Sequence, residues 1–324
     1  MTTAMPERQF IQTNGIRMAV YAAGPEDSAF PPIILCHGFP ELAFSWRHQL
    51  RDLAAQGFRV IAPDQRGYGD TDAPEAVEAF TLEELCLDLV GLLDAFGIEK
   101  AVFCGHDWGG FVVWQMAMRH PDRVAGVIGV NTPFTKRAPM DPIALYRRRF
   151  GDDMYIVFFQ QPESLEELFD EDVHKTLRLY MRKSDTSPAE LDSRPAGQRS
   201  LALQAALQHY KPEADPQQFL SEAERAVFVD TFTRTGFRGG INWYRNFTRN
   251  WERSADLLDH VSQPSLMIMA ENDVVLPPSA ADGMEAYVPQ LTKVLIRGSG
   301  HWTQQEKPRE TSEAIGAWMR SVFA

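Results

Sequence analysis

The feature that most constrains the fold of this chain is a series of short, uninterrupted apolar segments separated by stretches with helical periodicity. Six such segments stand out, at residues 33–36, 59–63, 101–105, 124–130, 265–270 and 293–297. Strands that are apolar at every position, rather than at alternate ones, are typical of parallel sheets that helices cover on both faces. Since helical patterns lie between the segments, the sequence predicts a doubly wound α/β fold.

Local signals add a hairpin and locate one helix. Residues 8–23 alternate apolar and polar side chains around Asn14-Gly15, a dipeptide typical of a two-residue β-hairpin turn. Thr81 followed by Glu84 predicts a capping box at the start of a helix, and Gly97 is positioned to end that helix. The predicted sheet therefore begins with an antiparallel pair of strands.

The alternation of strands and helices stops between about residue 135 and residue 255. This stretch has helical patterns but no apolar segment of the same kind. We expect a helical insertion between the sixth and seventh strands. Such an insertion can close over the carboxyl ends of the strands, where open α/β sheets bind their ligands.

The charge balance is acidic, because 32 basic and 44 acidic side chains give a net charge of −12. An acidic surface repels phosphate backbones and anionic membranes, so we expect no nucleic-acid partner and no membrane partner. The N-terminus lacks the pattern of a signal peptide, and no apolar run approaches the ~20 residues that cross a bilayer. We therefore expect a cytoplasmic protein.

The cysteines and histidines do not indicate a metal site. Cys36, Cys86 and Cys104 have neither the spacing of a zinc site nor the even number of a disulfide framework, and we interpret them as buried thiols. Residues 64–74 are glycine-rich but lack the phosphate-loop pattern, so they predict a structural turn. We expect neither a metal nor another cofactor. The histidines without a metal-binding spacing, which we interpret as surface or packing residues, are His48, His106, His120, His174, His209 and His260.

The strongest catalytic signal is the segment GHDWGG at residues 105–110, which follows one apolar segment and precedes a helical one. A strand, a sharp turn and a helix in this order form the nucleophile elbow, G-x-S-x-G, and here Asp107 stands in the position of the serine. Gly105 and Gly109 remove side chains that would crowd the turn. Asp107 is therefore the expected nucleophile, the ordinary alternative being a helix N-cap.

Three further residues lie where partners of such a nucleophile belong. Asp273 follows the segment 265–270 and His301 follows the last one, which gives the chain order nucleophile, acid, histidine. Glu271 is an alternative acid, but Asp273 lies further into its loop. HGFP at residues 37–40 follows the segment 33–36, so we assign the oxyanion hole to the backbone N–H groups of Phe39 and Trp108. The bond between Phe39 and the next residue, a proline, is a candidate cis peptide.

An aspartate nucleophile restricts the chemistry. A carboxylate that attacks an acyl carbon makes an anhydride and gains little, whereas attack on saturated carbon makes an ester that water can later split. Asp107 therefore predicts displacement at carbon, with His301, oriented by Asp273, activating water in the second step. An alkoxide leaving group needs an acid, and a neutral tyrosine hydroxyl suits that role. Tyr155 and Tyr244 lie in two marked contexts of the insertion, MYIVFFQQPE and FRGGINWYRN.

Over about residues 8–322 the chain resembles the soluble-type epoxide hydrolases of the α/β-hydrolase superfamily. The resemblance implies an α/β-hydrolase fold with a mostly parallel, eight-stranded sheet flanked by helices. It also implies a core domain of residues 1–134 and 255–324, and an inserted helical cap domain of residues 135–254. The motifs that carry it are HGFP, RGYGDTD, GHDWGG, FFQQPE, RGGINWYRN, AENDVVLPP and GHWTQQEKP.

The same resemblance implies the reaction, in which an epoxide and water give a vicinal diol. It makes Asp107 the nucleophile, Asp273 the charge-relay acid and His301 the base, with Tyr155 and Tyr244 protonating the epoxide oxygen. Tyr155 is assigned from its offset to Gln160, and Tyr146 and Tyr180 stay open as alternatives. Because the insertion is rich in aromatic and aliphatic residues, we expect a small, apolar epoxide as substrate.

Two other functions fit the same scaffold less well. A haloalkane dehalogenase would use the Trp108 indole to bind halide, but it usually carries Asn or Glu where this chain has Phe39, which cannot donate a hydrogen bond. A ligand-binding protein without activity would lack a member of the triad, and here all three are present.

Overall fold

The eight predicted strands form a single sheet in the computed structural model, which describes residues 4–162, 164–194 and 201–324. The strands are β1 (Arg8–Thr13), β2 (Ile16–Ala23), β3 (Ile33–Cys36), β4 (Val60–Pro63), β5 (Ala101–His106), β6 (Val124–Val130), β7 (Ser265–Ala270) and β8 (Leu291–Ile296). Their order across the sheet is β1-β2-β4-β3-β5-β6-β7-β8. The pairs β1–β2 and β2–β4 are antiparallel and the rest are parallel, so the carboxyl ends of β3 to β8 lie on one edge.

The helices fall into three groups along the chain. Before β6 come α1 (Arg47–Ala55), α2 (Leu82–Ala95) and α3 (Trp108–Arg119). Between β6 and β7 lie α4 (Pro142–Phe150), α5 (Tyr155–Phe158), α6 (Ser164–Asp170), α7 (Val173–Tyr180), α8 (Pro188–Ser193), α9 (Leu203–His209), α10 (Glu222–Thr235), α11 (Arg238–Arg245) and α12 (Phe247–Glu252). After β8 come α13 (Thr303–Glu306) and α14 (Pro308–Phe323).

The uninterrupted apolar segments are explained by burial on both faces of the sheet. In β3, Ile33 and Leu35 belong to a core cluster that includes side chains of α1 and α14. Ile34 and Cys36, which point the other way, belong to a second cluster with α2 and α3. The predicted doubly wound architecture is confirmed.

Of the local predictions, the hairpin is confirmed and the capping box is half right. Asn14 and Gly15 have φ of 40° and 76°, and they connect β1 to β2 as the hairpin signal predicts. Thr81 caps α2 by accepting a hydrogen bond from the N–H of Glu84. The other half of the predicted capping box is absent, because the Glu84 carboxylate accepts a hydrogen bond from Asn14 Nδ2 at 2.9 Å instead. The last strand, β8, starts two residues before the predicted position.

The insertion predicted between the sixth and seventh strands contains the helices α4 to α12. All three cysteines are buried and unpaired, as predicted. Within the described ranges, the structure contains no helix that is both long and apolar enough to cross a lipid bilayer. The division into a core and a cap domain stays a prediction.

Candidate active site

Asp107 lies in the sharp turn between β5 and α3, at the carboxyl edge of the sheet. Its φ is 51° and its ψ is −120°, a backbone conformation that residues other than glycine rarely adopt. The turn is tight, because a Cβ on Gly105 would collide with the Gly109 carbonyl, and a Cβ on Gly109 would collide with the Cys36 carbonyl. The side chain of Asp107 is thereby held above the ends of the strands.

The loop after β3 supplies a donor to the Asp107 carboxylate. The backbone N–H of Phe39 donates to Asp107 Oδ1 at 2.8 Å, and the Phe39–Pro40 peptide is cis. Trp108 is the first residue of α3, so its N–H is one of the helix N-terminal donors that have no acceptor within the helix. Of the two residues assigned to the oxyanion hole, Phe39 contacts the carboxylate, and Trp108 directly follows Asp107 in the chain.

His301 and Asp273 complete a chain of contacts that starts at Asp107. His301 Nε2 lies 3.7 Å from Asp107 Oδ2, and His301 Nδ1 lies 2.9 Å from Asp273 Oδ2. The alternative acid, Glu271, instead accepts a hydrogen bond from the backbone N–H of Gly298 at 2.8 Å. Of the two candidate acids, Asp273 is the one that the structure places against the imidazole.

The pKa shifts of Asp273 and His301 favour the charged form of each side chain. Burial favours the neutral form of Asp273, but the imidazole of His301 and hydrogen bonds from Asn131 and the loop backbone outweigh it and lower the pKa of Asp273 to about 2. Burial likewise lowers the pKa of His301, but the carboxylates of Asp273 and Asp107 raise it well above its usual range. The two carboxylates thus favour the protonated form of the His301 imidazole.

Tyr155 and Tyr244 come from different helices and meet above Asp107. Tyr155 begins α5, Tyr244 lies near the end of α11, and their ring centroids are 5.9 Å apart. Both line a cavity of about 500 Å³ together with Asp107 and His301. Burial, and then the charge of Asp107, raise the pKa of both hydroxyls well above the usual value, so both remain protonated at neutral pH.

The two alternative tyrosines occupy different places. Tyr146 does not line this cavity but lies in a separate groove on the other side of Phe247. Tyr180 does line it, and its hydroxyl has no hydrogen-bond partner among the described residues. Burial and the neighbouring Tyr155 raise the pKa of Tyr180, whereas Asp107 contributes to the shifts of Tyr155 and Tyr244. Tyr155 and Tyr244 are therefore the two tyrosines lining the cavity whose pKa values the charge of Asp107 helps to raise.

The motifs around the two tyrosines hold them in place. Gln160 Nε2 donates to the carbonyl oxygens of Ile156 and Tyr244, each at 2.9 Å, and so ties α5 to α11. Trp243 Nε1 donates to the Arg66 carbonyl at 3.1 Å, which fixes α11 on the glycine-rich loop after β4. The sequence segments that carry the resemblance thus position the hydroxyls.

Two residues that the sequence analysis did not assign to the site form a fully buried pair beneath it. His106 Nδ1 lies 2.7 Å from Glu41 Oε2, and His106 Nε2 lies 2.7 Å from the carbonyl oxygen of His301. Both ring nitrogens therefore have an oxygen within hydrogen-bond distance. Burial raises the pKa of Glu41, but His106 and the Gly38 N–H outweigh this effect and lower it to about 2. His106 is thus a buried packing residue whose ring also hydrogen-bonds to Glu41 and to the backbone of His301.

Asn131 is a third missed residue. It follows β6 with φ of 63°, and its Nδ2 donates to Asp273 Oδ2 at 2.6 Å. A sequence signal existed for the buried pair, because His106 precedes the elbow aspartate and Glu41 directly follows HGFP. For Asn131 the signal is weaker, since an asparagine after a strand is ordinary in turns. In the described part of the chain, no three His, Cys, Asp or Glu side chains are grouped as metal ligands.

Comparison with known proteins gives consistent results. A family model described as alpha/beta hydrolase fold matches residues 31–308. Epoxide hydrolase A of Mycobacterium tuberculosis is 42% identical over 320 residues, which cover 96% of each chain. Bifunctional epoxide hydrolase 2 of Mus musculus is 38% identical over 90% of this chain and 52% of its own length. The crystal structure of epoxide hydrolase A from Mycobacterium thermoresistibile superposes with a TM-score of 0.86 at 39% identity, covering 97% of this chain and 98% of the other.

Proposed function

Because this chain belongs to the epoxide hydrolases of the α/β hydrolase fold family, we propose that it converts epoxides to vicinal diols through an ester on Asp107. One observation carries this mechanism. Two buried, protonated tyrosine hydroxyls share a cavity with an ionisable carboxylate in a nucleophile elbow. Such a site can attack the ring carbon with the carboxylate while it protonates the ring oxygen.

In the first step, Asp107 Oδ2 attacks one carbon of the epoxide ring. Oδ1 is held by the Phe39 N–H, so Oδ2, on the His301 side, is the oxygen left to react. As the carbon–oxygen bond of the ring breaks, Tyr155 and Tyr244 bind the oxygen and one of them transfers its proton. The products are a hydroxyalkyl ester on Asp107 and one tyrosinate.

In the second step, water attacks the carbonyl carbon of the Asp107 ester. Formation of the ester removes the charge of Asp107, one of the two carboxylates that raise the pKa of His301. The pKa of the imidazole therefore falls, its proton passes to the tyrosinate, and the neutral imidazole of His301, still oriented by Asp273, accepts a proton from the attacking water. The diol then leaves, and the Asp107 carboxylate is restored beside the protonated imidazole.

The N–H groups of Phe39 and Trp108 stabilise the second transition state. The ester carbonyl oxygen is Oδ1, which already accepts the Phe39 N–H at 2.8 Å. Negative charge develops on this oxygen when water attacks, and each such donor contributes about 2.7–4 kcal/mol to this kind of transition state.

The cavity supports an apolar epoxide as substrate. Among its lining residues are the apolar side chains Phe39, Leu179, Leu201, Val275 and Trp302. Apolar walls with a few placed polar groups are typical of small-molecule sites. We therefore expect aryl and alkyl epoxides to be accepted.

We also propose residues 135–254 as a cap domain over a core of residues 1–134 and 255–324. The support is that Tyr155, Tyr180 and Tyr244, all from this interval, share the catalytic cavity with Asp107 of the core. We propose the cytoplasm as the location, because three buried, unpaired thiols fit a reducing compartment.

The direct test incubates the purified protein with styrene oxide and, separately, with 1-bromobutane. We expect the diol from the first and no bromide from the second. Bromide without diol would assign the site to halide displacement, with the Trp108 indole as the halide donor. Neither product from a folded protein would contradict the proposed substrate class.

A further inference from the structure

A second groove, of about 680 Å³, lies outside the catalytic cavity between α3, α4 and α12. We call it the basic groove. Its apolar walls include Phe111, Tyr146, Phe150, Phe247 and Trp251. Its volume falls within the range of about 300–1,000 Å³ that is usual for small-molecule sites. The basic groove and the catalytic cavity share no lining residue.

The charged side chains that line the basic groove are all positive. Four cations line it, Lys136, Arg137, Arg148 and Arg149, and none of its described lining residues is a carboxylate. This is unusual for a chain with a net charge of −12. Two acidic side chains close to the groove in the fold have hydrogen-bond partners of their own: Asp141 accepts from Thr248 and from its own helix N-terminus, and Asp259 accepts from the backbone N–H of Arg137.

The four cations also lack ion-pair partners within the described ranges. Arg147, on the same helix as Arg148 and Arg149, pairs with Asp152 at 2.8 Å and does not line the groove. Isolated positive charges that converge on an apolar surface leave a positive potential there, which attracts anions. On α4, the cations without an ion-pair partner among the described residues, Arg148 and Arg149, are therefore the ones that line the groove.

One of the cations is held rigidly. The Arg137 guanidinium lies 4.3 Å from the centre of the Trp251 ring, and its Nε donates to the Trp251 carbonyl at 3.0 Å. Its two terminal nitrogens have no hydrogen-bond partner among the described residues. A stacked guanidinium with unused donors is a geometry suited to binding carboxylates.

The wall of the basic groove also contains a buried polar group without a partner. Asn250 is 7% exposed, and its Oδ1 accepts the backbone N–H of Leu82 at 2.9 Å. Its Nδ2 has no partner in the described part of the chain, although buried amide donors are nearly always paired. An unpartnered donor in a residue that lines the groove is a second indication that the groove binds a polar ligand group.

We propose that the basic groove binds an amphipathic anion, namely a medium- or long-chain carboxylate. Its chain lies along the aromatic walls, and its carboxylate accepts hydrogen bonds from Arg137, Arg148 and Arg149. The bound chain contacts Phe247, whose ring centre lies 4.9 Å from that of Trp108. The site is therefore separate from the catalytic cavity but adjacent to its oxyanion hole.

The test measures binding of decanoate to the full chain by isothermal titration calorimetry, below the micelle concentration. The variant is Arg148→Gln/Arg149→Gln, and the matched control is Arg147→Gln, which changes the same helix outside the groove. We expect the double variant to weaken binding at least about tenfold, since it removes two charge-assisted donors, and the control to change it less than about twofold. Decyltrimethylammonium, with the same chain and the opposite charge, should not bind this site.

Three results would overturn the proposal. The first is decanoate binding that the double variant leaves unchanged, since this would place the ligand in the catalytic cavity. The second is equal binding of decyltrimethylammonium to the groove. The third is sedimentation with anionic phospholipid vesicles without binding of monomeric decanoate, which would assign the cations to a lipid surface. Arg148 and Arg149 are exposed, so a double variant that keeps its epoxide turnover is folded and its binding result is decisive.

Discussion

At Asp107 the backbone and the two carboxylate oxygens have different neighbours. The backbone, with φ of 51°, is fixed in part by Thr132, whose hydroxyl donates to the Asp107 carbonyl at 2.8 Å. Oδ1 accepts the Phe39 N–H, and Oδ2 lies on the side of His301. In the proposed mechanism, this division lets one oxygen form the ester while the other is already in position to carry the later negative charge.

The charge of Asp107 should control the pKa of His301. In Asp107→Asn one of the two carboxylates next to the imidazole is lost, so the pKa of His301 should fall relative to the unmodified protein. The measurement is an NMR titration of the imidazole. Glu271→Gln is the control, because Glu271 lies in the same loop as Asp273 but hydrogen-bonds to Gly298, and it should leave this pKa unchanged. An unaltered pKa in Asp107→Asn would contradict the proposed switching of the base.

Replacing Tyr155 and Tyr244 by phenylalanine should slow the opening of the epoxide ring. Tyr155→Phe and Tyr244→Phe each remove one hydroxyl from the epoxide oxygen, and together they should slow ester formation by about 10²–10⁴-fold. Pre-steady-state quenching of tryptophan fluorescence would measure this step. Tyr287→Phe is a suitable control, since this residue lies outside the catalytic cavity. A larger effect from Tyr180→Phe than from Tyr155→Phe would reassign the second proton donor.

At the scale of elements, α11 is the part that brings the insertion onto the core. Trp243 donates to the carbonyl of Arg66, Gln160 joins α11 to α5, and Gly240 packs against Phe39. Because Phe39 also donates to Asp107, the position of α11 sets the distance between the tyrosines and the nucleophile. The motif RGGINWYRN is therefore a packing motif as well as the source of Tyr244.

A methyl group at Gly240 should disturb this packing. Its Cβ would lie 2.5 Å from Phe39 Cδ2 and from the Tyr68 hydroxyl, so Gly240→Ala should destabilise the fold by about 1–3 kcal/mol and lower kcat. Gly316→Ala is the matched control in α14, where the new Cβ meets the movable end of Gln56. It should be neutral or stabilise by about 0.5–1 kcal/mol, because alanine favours helices. Urea denaturation measures both, and equal effects would refute the close packing of α11 on Phe39.

At the scale of the whole molecule, sequence reasoning succeeded where the signal was local. The hairpin at Asn14-Gly15, the buried strands and the elbow around Asp107 depend on neighbours within a few residues, and the structure contains all of them. The capping-box contact predicted for the Glu84 carboxylate is absent because Asn14, 70 residues away along the chain, donates a hydrogen bond to that carboxylate. The pairing of His106 with Glu41, 65 positions away along the chain, was missed although each residue adjoins a recognised motif.

The buried pair of Glu41 and His106 should matter for the stability of the whole fold. Glu41→Gln removes the carboxylate that contacts the buried His106 ring, and loss of a buried hydrogen bond to a charged group costs about 1.5–3 kcal/mol. Glu41 has its pKa lowered to about 2 in the folded state, so its stabilising contribution is present above the unfolded pKa of about 4.3 and is lost as the pH falls towards 2. Denaturation of the unmodified protein and of Glu41→Gln at pH 7 and pH 3 measures the difference in their free energies of unfolding. A difference in stability that does not shrink at pH 3 would argue against an ion pair.

The ester on Asp107 is the central claim, and mass spectrometry of a slowed variant tests it most directly. In His301→Gln the first step should still occur, while hydrolysis of the ester should be slow for want of a base. After brief incubation with styrene oxide and denaturation, the peptide that contains Asp107 should gain the mass of one epoxide, and the same peptide from Asp107→Ala should not. An unmodified peptide in His301→Gln, or an adduct on another residue, would contradict the two-step mechanism.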